Sequence, residues 1–175
     1  MYVLSIISFL MLGGFLLLAA MRFGIPAMVS DVYYQLQNCA GSEVIGDKEK
    51  RNYGWVFTLV MFASAILMLI PMLDSGRGIQ CLAFLGCAGL MFVGFVPRHL
   101  DSAEHIIHKS AAITAAIGCV GWCSSVNLAP TLLLAIAVLI IYFPPAVKKP
   151  KTVGYYWAEI AAFLDVYLTY WIFAL

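Results

Sequence analysis

Hydrophobic residues in this chain come in long unbroken runs rather than in alternation with polar ones. Six runs stand out: Tyr2–Met21, Tyr53–Leu73, Ile79–Val96, Glu104–Cys123, Leu128–Phe143 and Tyr155–Phe173. None shows the period-two pattern of a half-wet strand. A helix needs roughly 20 apolar residues to cross the hydrocarbon core of a bilayer. The pattern therefore predicts six membrane-spanning helices, the fifth being the shortest. Gly76 and Gly78 make the turn between the second and third spans. Ser124-Ser125-Val126-Asn127 divides the fourth from the fifth, with Pro130 just inside the latter. Pro144-Pro145 ends the fifth, because proline lacks the N–H that would continue a helix.

Composition agrees. The 175 residues are 63% hydrophobic and 11% charged, whereas a soluble domain is about half apolar and about a quarter charged. Spanning segments must be helices or a closed barrel, and the absence of alternation favours helices. The expected fold class is all-α: a polytopic, compact six-transmembrane-helix bundle forming one integral membrane domain over residues 1–175. The net charge of +1 predicts no nucleic-acid partner. Met1-Tyr2-Val3 lacks a basic region, so the run to Ala20 reads as a first span rather than a cleaved leader. Of the five cysteines, Cys81, Cys87, Cys119 and Cys123 lie in apolar runs without CxxC or zinc-ribbon spacing, and read as small hydrophobes. The four tryptophans, Trp55, Trp122, Trp157 and Trp171, fall near span ends, as an aromatic belt requires. Gly86, Gly89 and Gly94 allow close packing of the third span.

Eight of the ten cations (Arg22, Lys48, Lys50, Arg51, Arg98, Lys148, Lys149 and Lys151) lie in the connections after spans one, three and five. Arg77 lies opposite, and Lys109 lies inside the fourth span. The positive-inside rule places those three connections in the cytoplasm and both termini outside, in a membrane of the bacterial inner-membrane type. The only long loop, residues 24–52, opens with Pro26. Ser30-Asp31 is placed to cap a short interfacial helix over Val32–Leu36. That helix is either part of the aromatic belt or a cover over the polar cluster at the start of the fourth span.

The cluster is the chain's main departure from what lipid selects. All three histidines, His99, His105 and His108, lie within it, beside Arg98, Asp101, Glu104 and Lys109. At 100° per residue, Asp101, His105 and His108 share one narrow helical face that Ala112 and Cys119 continue. A second polar set, Glu159 and Asp165, lies in the sixth span among Ala158, Ala161, Ala162 and Thr169. An isolated carboxylate in a span costs at least about 2.5 kcal/mol. Both should therefore face inward, and a pairing with His105, His108 or Lys109 is expected. Three roles compete. Asp101, His105 and His108 could ligate zinc or another divalent ion. The same three could act as acid–base groups in lipid hydrolysis or transfer, with Ser30, Ser102 or Ser110 as nucleophile, though no motif marks one. Or the cluster binds a headgroup, with Arg98 and Lys109 facing a phosphate and Ser30, Asp31, Glu104, Glu159 and Asp165 completing the pocket. The favoured expectation is binding of a membrane lipid or small amphiphile. The alternatives are a membrane-embedded, metal-dependent hydrolase or transferase, or an accessory subunit packed against a membrane-protein partner or a second copy.

Three pieces in order carry a family likeness: Pro26 to Asp31, ending in Ser-Asp; Gly54-Trp55-Val56-Phe57; and Gly94-Phe95-Val96-Pro97 followed by His108 and Ala111-Ala112. The arrangement resembles the bacterial six-span membrane proteins of unknown function related to the FGF-receptor-activating protein and damage-regulated autophagy modulator group. The resemblance covers most of residues 26–123 and carries over Ser30, Asp31, Pro97 and His108. It implies a six-helix bundle concerned with membrane lipid or with modulating other membrane proteins. It also implies a cytoplasmic N-terminus, opposite to the orientation the cations give.

Overall fold

A computed structural model describes residues 1–38, 53–96, 102–142 and 153–175. These form α1 (Tyr2–Phe23), a 3-10 turn (Val29–Asp31), α2 (Val32–Asn38), α3 (Gly54–Asp74), α4 (Gln80–Phe95), α5 (Ser102–Val126), α6 (Leu128–Tyr142) and α7 (Val153–Thr169). α7 continues as a π-helical turn, Tyr170–Ala174. No strand occurs among the described residues, so the all-α class holds.

Length divides the expected spans. α1, α3 and the Glu104–Val126 part of α5 are long and apolar enough to cross a membrane. α4 and the Leu128–Ile140 part of α6 are apolar but shorter. The 16 residues of α4 extend about 24 Å at 1.5 Å each, short of a core about 30 Å thick. The hydrophobic run there included Ile79 and Val96, but both have non-helical backbones. Apolar character outlasts the helix at each end.

Large apolar side chains are exposed along the helices: Leu10 and Leu18 on α1, Leu59 on α3, Phe92 on α4, Ile117 on α5 and Leu133 on α6. Polar groups occupy the interior instead: Ser5, Ser8, Ser64, His108, Asp165 and Thr169 are buried. The inversion is what lipid selects, because hydrocarbon rewards apolar contact and offers polar groups no partner.

Small residues set the closest packing. A Cβ on Gly86 would lie 2.6 Å from the Cys119 backbone nitrogen, and one on Gly89 would lie 2.6 Å from that of Ala115. Gly118 sits against the Gly86 backbone in return. The expected role of Gly86 and Gly89 is therefore met. The face that α5 presents runs through His108, Ala111, Ala115, Gly118 and Trp122, all buried. It is rotated from the expected Asp101–His105–His108–Ala112 stripe, because the glycine seam of α4 selects the smallest residues.

Gly76 and Gly78 turn the chain between α3 and α4 with φ of 62° and 65°. The turn is pinned to the end of α5: Trp122 Nε1 donates to the Arg77 carbonyl at 3.0 Å, and the Ile79 N–H donates to Ser125 Oγ at 2.9 Å. Trp122 is therefore fully buried rather than part of an aromatic belt. Trp55 and Trp157 are exposed, as a belt requires, and Trp171 donates to Ser5 Oγ at 2.9 Å. Between α5 and α6 only Asn127 is non-helical. Its Oδ1 accepts the Ala129 N–H at 2.9 Å, capping α6.

Candidate functional site

The residues expected to form one pocket have three sets of partners. The first set lies where the chain leaving α1 meets α7. The Val29 N–H donates to Glu159 Oε2 at 2.6 Å, and the Tyr156 N–H donates to the Ala27 carbonyl at 3.1 Å. Val29 and Ser30 are buried as a result. Asp31 reaches back, and its Oδ2 accepts the Met28 N–H at 3.1 Å. The anticipated cap by Ser30-Asp31 thus takes a different form, since the carboxylate closes the 3-10 turn ahead of α2. The charge of Asp31 acts on Glu159, so two carboxylates converge at this junction. Ser30 and Asp31 follow directly on Val29, whose N–H holds Glu159.

α2 packs on α3. Val32 is buried, and Tyr33 packs edge-on against Phe57 of α3 at 6.3 Å. Val32, Tyr33 and Leu36 are the apolar residues of this short helix, and the core of α3 is what they bury against.

The second place is the start of α5. His108 is 6% exposed, and its Nδ1 lies 2.7 Å from the Val96 carbonyl. A carbonyl only accepts, so this nitrogen carries the proton. The bond ties α5 to the end of α4. His105 and Lys109 are exposed and Glu104 is half-buried, so the edge of the packed face falls between the two histidines. Arg98 and Asp101 lie outside the described residues, as does His99. Among the described residues, no three His, Cys, Asp or Glu side chains are grouped to hold a metal ion.

The third place surrounds Asp165, which is 2% exposed. Thr131 Oγ1 donates to its Oδ2 at 2.6 Å, and Thr169 Oγ1 donates to its Oδ1 at 3.2 Å. The buried Cys123 thiol of α5 lies close enough for the Asp165 charge to act on it. The expected inward orientation is met, but the pairing with His105, His108 or Lys109 is not. Cys123 lies fifteen residues beyond His108 on α5, about 22 Å at helical rise. Thr131 is the fourth residue of α6, so Asp165 sits opposite the α5–α6 joint.

Sequence reasoning missed a further network. Ser8 Oγ donates to the Ser64 carbonyl at 2.8 Å and shares a 2.7 Å hydrogen bond with the Tyr167 hydroxyl. It links α1, α3 and α7. Its only signal was two serines one turn apart in an otherwise apolar first span.

No protein-family model, curated protein or solved structure matches this chain.

Proposed function

We propose that the chain crosses a bilayer six times, with the connections after spans one, three and five cytoplasmic, and binds an amine-bearing lipid or small amphiphile where the first loop meets α7. The observation that carries this reading is the docking of residues 27–31 onto α7, which sets the carboxylates of Asp31 and Glu159 on the neighbouring backbone N–H groups of Met28 and Val29. Like charges held together in a medium of reduced dielectric repel. A headgroup ammonium relieves that repulsion and gains charge-assisted hydrogen bonds. Lys109, exposed at the start of α5, and Arg98 supply cations for the headgroup phosphate. The likeness to a lipid-linked membrane group points the same way. The shorter α4 and α6 fit six crossings if the bilayer thins locally at a cost of fractions of a kcal/mol per Å.

The test is lipid retention by the full chain in nanodiscs of phosphatidylethanolamine mixed with phosphatidylglycerol, read by native mass spectrometry. The ethanolamine lipid should be retained preferentially. Glu159→Gln should weaken that preference by about tenfold, which corresponds to one charge-assisted bond of about 1.5 kcal/mol. Equal retention of the two lipids, or no effect of Glu159→Gln, would refute the assignment.

A further inference from the structure

Away from that junction, three helices bring sulfur together in the bundle interior. Met72 on α3 is fully buried, and Cys87 on α4 is 3% exposed. Cys87 Sγ lies 3.9 Å from Met72 Sδ. From α5, Cys119 Sγ lies 2.7 Å from where a Cβ on Gly86 would stand, beside Cys87 in the chain, and the two thiols act on one another. This meeting depends on the glycine seam: Gly86 and Gly118 let the two backbones touch, so the side chains beside them overlap. All the cysteines within the described residues are free thiols. A single cysteine in an apolar run serves as a small hydrophobe. Three sulfurs converging from three helices form a donor set.

We propose that Met72, Cys87 and Cys119 bind a soft monovalent metal ion of the Cu(I) or Ag(I) class. Thiolate and thioether sulfur select such ions, whereas hard divalent ions take oxygen. The spacing fits. With metal–sulfur bonds of about 2.3 Å, three ligands in a plane around an ion stand about 4 Å apart, close to the separation of Cys87 and Met72. Charge also fits. When one thiol gives up its proton to bind a monovalent cation while the second thiol and the thioether stay neutral, the filled site carries no net charge. That matters in an apolar interior, where an uncompensated ion is expensive. The nearby Tyr167 hydroxyl is already engaged with Ser8. The site is independent of the headgroup reading, since none of its residues touches the junction of the first loop with α7.

The full chain, purified in detergent with a thiol-free reductant, should be titrated with Cu(I) against a chromogenic Cu(I) chelator. The proposal predicts that one equivalent is withdrawn from the chelator and that X-ray absorption shows sulfur ligands alone. Met72→Leu conserves volume, and the Cys87→Ala/Cys119→Ala pair removes both thiols. Each should bind Cu(I) at least about tenfold more weakly while the metal-free variants keep the unfolding temperature within the range of ordinary core substitutions. Failure of the unaltered chain to withdraw Cu(I) would overturn the proposal. So would undiminished binding by the double variant, which would place the ion on the remaining cysteines, Cys39, Cys81 or Cys123.

Discussion

Asp165 shows how a carboxylate is kept inside a bundle of apolar helices. Two hydroxyls and a thiol from three helices face it, so its cost in lipid is met by donors from within the protein. Replacing Thr131 with valine keeps the shape and removes the shorter of the two hydroxyl bonds. A hydrogen bond to a charged group is worth about 1.5–3 kcal/mol, so Thr131→Val should destabilise the chain by about that much, measured by chemical unfolding in detergent. At the same scale the tyrosine–serine link is a neutral pair. Ser8→Ala should cost only about 1 kcal/mol, because its partners, the Ser64 carbonyl and the Tyr167 hydroxyl, are neutral. The presence of Asp165 and its inward direction were legible in the residues. Its partners were not, because threonine and cysteine in an apolar run look like ordinary small residues, and histidine seemed the more obvious mate.

The seam between α4 and α5 is the element on which the interior polar groups depend. Gly86→Val would drive side-chain atoms into the backbone at Gly118 and Cys119. Such overpacking costs about 1–3 kcal/mol, and it should also separate Cys87 from Cys119. Gly13 in α1 offers a contrast, since a Cβ there meets nothing within 4 Å. Gly13→Ala should stabilise by about 0.5–1 kcal/mol through helix propensity alone. Comparing the two variants by thermal unfolding separates a packing glycine from a tolerated one. Helix number and order were readable from the apolar runs. The face that α5 presents was not, because its residues were ranked by chemistry, and His105 and Asp101 outweighed the smaller Ala111, Ala115 and Gly118 that packing selects.

At the scale of the whole molecule, the arrangement is an inverted one, with leucine, isoleucine and phenylalanine outside and serine, threonine, histidine and aspartate within. The all-helical class and the membrane setting followed from run length and composition. Glu159 and Asp31 were grouped by residue type, but the Val29 N–H that holds Glu159 was not legible, since it is a backbone group far away in sequence. The proposed orientation predicts that, in a bacterial host, a phosphatase reporter fused after Leu175 is active outside the cytoplasm, whereas one inserted in the loop of residues 39–52 is silent. The opposite pattern would favour the cytoplasmic N-terminus that the family likeness implies.

The central claim, the proposal of six crossings, is tested most directly on α6, the helix whose length argues least for a crossing. Spin labels placed singly at Leu132, Leu133, Ile136, Leu139 and Ile140 in nanodiscs should collide readily with oxygen and be shielded from a water-soluble nickel relaxant. The shielding should deepen toward the middle of the helix. Nickel collisions along the whole helix would place α6 in water and contradict the six-span bundle.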